Sequence, residues 1–516
     1  MHAPRKQIRN LGLFLTVCYV VLFVQLNRYT VIDASQRQDD PDNNREEIRD
    51  FSAPRGTIST SDGVLLAQSV DTEDRFELQR VYPEGALYAH IVGTFNPLAT
   101  GSNGVERTYN DELTGELGFG LEQLGNLLEE DQQVGNITLT VRDDVQRVAR
   151  DQLGDRVGSV VVLDPRSGAI IAAWSNPTYD PNLVASHDFQ AALDEAERLD
   201  ADPNFPRRAR WYRENLPPGS TFKVVTATAG IQSDQVDADE PDYPQEREFL
   251  PPTAGSPIEN SGGNTCGGKL FDILAVSCNT AFARMGTDLT AQGFYDTALS
   301  FGFDQDVPID LTEPVQSTFP EVEQLEDPPT RAQSAIGGFE VRATPLQMAL
   351  VAAAVANGGE VREPHVMKEI RDGDGEVVQT YDEETWTTAM DPTTAGLLRS
   401  AMEGIVENGT AEGLNQGLEA FDVGGKTGTA PLRGLNSSHA WIIGFAGPPG
   451  EDPEVAVAVV VEAAPGVGEQ FGGRVAAPIA AAVMQQALLP PTPPSGQDGT
   501  SGQTGTEGEQ PTEQPG

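Results

Sequence analysis

The run of apolar residues from Leu11 to Leu26, LGLFLTVCYVVLFVQL, is the longest in the chain; Arg5, Lys6 and Arg9 precede it and the acidic stretch DASQRQDDPDNN follows. It is slightly short for an unassisted membrane span of about 20 residues. A signal peptide is the competing reading. No A-x-A site follows the run, so it reads as an uncleaved anchor, basic flank inside and everything after Asn27 outside. Farther on, NITLTVRDDVQRVARDQL (Asn136 to Leu153) changes from strand alternation to helical spacing. GSVVVLDPRSGAIIAAWS (Gly158 to Ser175) predicts a β-hairpin around the turn Asp164–Gly168. Helical stretches dominate the middle: STFKVVTATAGI, LFDILAVSCNTAFARMG and TPLQMALVAAAVANGG, the last ending on a Gly pair suited to a C-cap. Strands return in FDVGGKTGTA, SHAWIIGFAG and EVAVAVVVEAA, and AAPIAAAVMQQALL predicts a closing helix. Past Leu489 almost no apolar residue remains, which predicts a disordered tail.

Strand, helices, then strands predict an α/β or α+β layer fold whose N- and C-terminal segments share one sheet. The expected divisions are 1–10, a cytoplasmic tail; 11–29, a transmembrane anchor; 30–140, a linker and small mixed domain; 141–488, the main domain; and 489–516, the tail.

Charge narrows the functions. The formal net charge is −44, although charged residues make up only 22%. A surface this acidic repels phosphate backbones, so no nucleic-acid partner is expected. Of 34 basic residues only five are lysine: Lys6, Lys223, Lys269, Lys368 and Lys426. Where charge alone matters this sequence writes Arg, so a retained Lys hints at an amine that can lose its proton. Three cysteines and five histidines show no ligand spacing, and no metal is expected.

Two of those lysines sit in short motifs. LPPGSTFKVVTA puts Ser220 after a Pro-Pro-Gly turn and Lys223 three residues on. As structure, Ser220 caps a helix and Lys223 is a surface charge. As chemistry, positions i and i+3 share a helix face, and a buried amine with lowered pKa takes the serine proton. AVSCNTAF supplies Ser277 and Asn279, which either cap a helix or relay a proton and hold an amide. GGKTGTA places Lys426, Thr427, Gly428 and Thr429 in a strand-like region. Its glycines mark either a bulged edge strand or a strand that pairs with an extended peptide, the hydroxyls and cation suiting a carboxylate.

Together S-x-x-K, S-x-N and K-T-G resemble the signature of penicillin-binding proteins and serine β-lactamases. APRGTISTSDGVLLAQS is similar to the R-G-x-I segment of class B penicillin-binding proteins, and RVYPEGALYAHIVGT and GVERTYNDELTG to later parts of the same non-catalytic module. VVLDPRSGAIIAAWSNPTYDPN resembles the opening hairpin of the transpeptidase domain; AIGGFEVRATPLQMA departs mildly, with Gly338 where relatives often have Gln. The resemblance covers about residues 50–485 and, with so short an N-terminal module, is closest to the penicillin-binding protein A type.

It implies a penicillin-binding/serine β-lactamase-like domain, an antiparallel sheet flanked by helices, behind a small dimerisation or pedestal-like domain and one transmembrane helix. It implies a cofactor-free D,D-transpeptidase acting on peptidoglycan stem peptides that end in D-Ala-D-Ala. Ser220 would be the nucleophile, Lys223 the base, Ser277 and Lys426 a proton shuttle and Asn279 a substrate-orienting group. Thr427, Gly428 and Thr429 would line the substrate, and β-lactams would inhibit. A cell-membrane location with the catalytic domain extracellular, and division or elongation proteins as partners, are further expectations. A serine β-lactamase or a membrane β-lactam sensor are the alternatives on the same fold. Cys278 stands where the family motif has Asp; Cys266 and Cys278, twelve residues apart in an oxidising compartment, are expected to be bonded. His439 is expected to be structural.

Overall fold

A computed structural model describes residues 5–27 (side chains of 9–25), 51–97, 99–115, 134–432 and 437–491. Most of the expected linker and nearly all of the expected tail lie outside them. The predicted hairpin and the C-terminal strand segments form a five-stranded antiparallel sheet in the order Asp422–Pro431, Ser438–Gly447, Val455–Val461, Gly158–Leu163, Ile170–Asn176. The predicted hairpin therefore closes on the C-terminal strands, as expected. Both central strands from the C-terminal part are buried at every position. That is why they read as continuous apolar runs instead of alternating.

Helices supply the cover. Pro345–Ala356 is apolar except for Gln347 and buried along its whole length, packed on the sheet; Asp143–Leu153 and Ala477–Leu488 pack on the sheet as well. Thr344 caps the first of these by accepting from Gln347 N at 3.1 Å, and Gly358 and Gly359 end it with φ of 62° and 100°.

A second, six-stranded sheet joins the two expected domains. Its order is Val377–Thr380, Met367–Arg371, Asn136–Leu139, Ile58–Ser59, Leu65–Asp71, Leu78–Val81. Beside it a buried carboxylate, Glu106, takes Arg55 at 2.7 Å and Arg80 at 2.6 Å. Burial alone would push Glu106 up; Arg80 and Arg55 more than offset this and hold it below the usual carboxylate range.

At the N-terminus a helix runs Arg5–Asn27, and its apolar side chains, Leu13, Tyr19 and Leu22 among them, are exposed. Among the described residues no helix is long and apolar enough to cross a membrane. The transmembrane helix expected from the sequence is therefore not shown.

Candidate functional site

The chain enters the site through a backbone that only glycine permits. Gly219 has φ of +54°, and a Cβ there would lie 2.7 Å from the Thr429 carbonyl oxygen. A Cβ on Gly337 would come within 2.0 Å of Gly219 O. Two other segments thus press on the turn that carries Ser220. A 3₁₀ turn, Gly219–Phe222, leads directly into the helix Lys223–Gln232. Ser220 is inside that turn instead of capping it, and it is Thr221 that satisfies Pro218 O, at 2.8 Å. The capping reading therefore fails. The Ser220 hydroxyl is half-buried and hydrogen-bonded to none of the described residues.

Lys223, one turn later, is fully buried. Its Nζ lies 2.8 Å from Ser277 O, 3.2 Å from Ser277 Oγ and 2.7 Å from Asn279 Oδ1. The expected Lys223–Ser220 hydrogen bond is absent in this resting arrangement, as is common for catalytic pairs before substrate arrives. Asn279 is committed at both ends, since its Nδ2 donates to Glu259 O at 3.0 Å.

Ser277 interrupts what the sequence predicted as one helical stretch. The chain forms Leu270–Ala275 and Asn279–Asp288 with Ser277 between them at φ of +56°. A non-glycine residue held there costs about 1–2 kcal/mol. Surrounding structure must impose it. The Cys266–Cys278 disulfide does so next door, tying the motif to the strand Cys266–Gly268. This is the pairing expected from the sequence.

Lys426 arrives from the edge strand Asp422–Pro431, also fully buried. Its Nζ donates to Ser277 Oγ at 2.9 Å and to Thr427 O at 3.0 Å. The strand pairs with Ser438–Gly447 in unbroken register, so it is an edge strand without a bulge. Gly428 allows the close approach: a Cβ there would sit 2.7 Å from Pro218 O. Thr427 is buried and donates its hydroxyl to Thr410 Oγ1 at 2.7 Å, while Thr429 is half-exposed.

Neither amine has a carboxylate partner among the described residues. Burial pushes Lys426 down to about 7. Burial, and secondarily the charge on Lys426, pushes Lys223 well below the lysine range. Both amines are thus pushed toward giving up a proton, as one coupled pair. Ser277 Oγ, between them, can pass a proton from one to the other.

Sequence reasoning brought Ser220, Lys223, Ser277, Asn279, Lys426, Thr427, Gly428 and Thr429 forward, and the fold gathers them. It missed Thr410, the Glu259 carbonyl and the Phe282 ring, 5.4 Å from Lys223 Nζ. Thr410 lies in an unremarkable loop, ENGTAEG, and a backbone carbonyl carries no sequence signal. His439 is structural: its Nδ1 accepts from Ala463 N at 3.2 Å, and burial pushes it down to about 4.

Residues 158–485 match the penicillin binding protein transpeptidase domain, and residues 55–137 the penicillin binding protein A dimerisation domain. The peptidoglycan D,D-transpeptidase PbpA of Mycolicibacterium smegmatis is 35% identical over 93% of this chain and 98% of its own length. PbpA of Mycobacterium tuberculosis is 32% identical over 93% of this chain and 98% of its own. A ceftriaxone acyl-enzyme complex of penicillin-binding protein A from M. tuberculosis superposes with a TM-score of 0.78 and 32% identity, covering 86% of this chain and all of that one. Penicillin-binding protein 2 of Pseudomonas aeruginosa follows at a TM-score of 0.71, 27% identity, 85% and 96% coverage. The chain with paired buried amines around Ser277 belongs to the penicillin-binding protein transpeptidase family.

Proposed function

We propose that this transpeptidase cross-links peptidoglycan stem peptides through an acyl-enzyme on Ser220. The observation that carries the reading is the line Lys223–Ser277–Lys426: two buried amines with no carboxylate partner among the described residues, bridged by one hydroxyl, beside a half-buried serine whose own hydroxyl bonds to none of those residues. A neutral Lys223 takes the Ser220 proton as Oγ attacks the carbonyl of the terminal D-Ala-D-Ala bond. Backbone N–H groups of Ser220 and Thr429 receive the oxyanion, each worth about 2.7–4 kcal/mol by analogy with a protease donor. The proton on Lys223 moves through Ser277 Oγ, supported by Lys426, to the leaving D-Ala amine. Thr427 and Thr429, with Lys426, hold the substrate carboxylate, and Asn279 orients the peptide. The amine of a second stem peptide then attacks the acyl-enzyme; Lys223 takes its proton and passes it to the departing Ser220 Oγ, so the cross-link forms and the free hydroxyl and neutral amine are restored. β-Lactams acylate the same serine.

The Arg5–Asn27 helix, with exposed apolar side chains, fits a cell-membrane anchor that leaves the catalytic domain outside. The six-stranded sheet suits a pedestal on which division or elongation proteins dock.

Incubation with a peptide ending in D-Ala-D-Ala and an amine acceptor tests the reaction. The reading expects D-alanine release together with acceptor-linked product, both lost in Ser220→Ala; hydrolysis without linked product contradicts transpeptidation.

A further inference from the structure

We infer that Thr410, which lies outside all three motifs, is a positioning residue that aims the Thr427 hydroxyl at the substrate carboxylate. The inference rests on the reading of Thr427 as a carboxylate-binding residue. Thr410 touches two motif-bearing segments at once. Its backbone N–H donates to Ala275 O at 3.1 Å, two residues before Ser277. Its hydroxyl takes the hydrogen bond from Thr427 at 2.7 Å. Lys426 holds the other end of Thr427, donating to its carbonyl at 3.0 Å. Behind them, a Cβ on Gly473 would lie 2.3 Å from Thr410 O and 3.5 Å from Thr427 Cγ2, so the turn Gly472–Val475 closes on both threonines.

Proton counting gives this contact its meaning. A threonine hydroxyl has one proton and two lone pairs, whereas a carboxylate can only accept. In the resting site the single Thr427 proton is directed at Thr410. When a carboxylate arrives, Thr427 turns that proton to the anion, and its oxygen then accepts from Thr410. Only a hydroxyl at position 410 can be acceptor in one state and donor in the other. Hydrogen bonds chained in this way polarise one another and strengthen the last, charge-assisted one. Thr410 is exposed, so replacing it by isosteric valine leaves no cavity in the core.

The test uses the full chain as wild type, Thr410→Val and Thr410→Ser, with two matched peptides, one ending in free D-Ala-D-Ala and one in its C-terminal amide. For the free acid, Thr410→Val is expected to raise KM about threefold to tenfold, the range for one hydrogen bond, with kcat unchanged and Thr410→Ser near wild type. For the amide, all three proteins should match. Equal losses on both peptides, no loss on either, or failure of serine to rescue would overturn the inference. No turnover by the wild type would overturn the transpeptidase reading itself, and this inference with it.

Discussion

Lys426 Nζ donates a 2.9 Å hydrogen bond to Ser277 Oγ, and the same oxygen lies 3.2 Å from Lys223 Nζ. One hydroxyl therefore joins a base to an acid across three chain segments. Ser277→Ala removes that relay and leaves the nucleophile and both amines in place. Acylation by a labelled penicillin should slow by about a hundredfold or more, the lower end for general acid–base catalysis. Rapid-quench kinetics measure it; an unchanged rate would mean that the proton takes another route.

The two amines set the pH profile. Below its depressed pKa Lys223 is charged and cannot accept the Ser220 proton, so kcat/KM falls toward acid. Lys426, pushed down to about 7, loses its charge as pH rises through that value, so kcat/KM falls again on the alkaline side. A bound carboxylate stabilises the Lys426 charge, so the alkaline limb should move upward in kcat relative to kcat/KM. The coupled pair titrates as a unit, and a pH–rate study in both parameters reads its two macroscopic values. The same depressed pKa values make the folded state less stable at pH 7 than near pH 10, because the unfolded chain binds protons that the buried amines give up.

The disulfide next to Ser277 contributes to both stability and geometry. Cys266→Ser with Cys278→Ser should lower unfolding free energy by about 2–3 kcal/mol, as for a short closed loop, and slow acylation by loosening the strained Ser277. Urea titration and penicillin labelling of the same samples check both effects. Loss of stability with full labelling speed would show that the helix ends alone hold Ser277.

Glu106 offers a control remote from the motifs. Glu106→Ala strands Arg55 and Arg80 in the interior, at a cost of about 3–5 kcal/mol. Stability from this carboxylate is present above the unfolded carboxylate pKa and is lost as pH falls through the lower folded value. Denaturation of wild type and variant across that acid range should show the gap closing.

Much of this was written in the sequence because it depends on local pattern. Apolar runs announced the hairpin and the C-terminal strands, and the rarity of lysine singled out Lys223 and Lys426. What pattern does not record is how segments far apart meet. Ser220 looked like a helix cap because Ser after Gly usually is one; the 3₁₀ turn that replaces the cap follows from the edge strand pressing on Gly219. Ser277 looked helical because its neighbours on both sides are; its φ of +56° comes from long-range ties. Thr410 carries no signature, and only the approach of its loop to the edge strand gives it a partner.

Incubation with labelled penicillin, followed by peptide mapping and a chase, tests the central claim most directly. A stable adduct on Ser220, absent from Ser220→Ala and released over hours, is the result expected of a transpeptidase. No adduct, an adduct on another residue, or an adduct hydrolysed within seconds, as a β-lactamase would do, would contradict it.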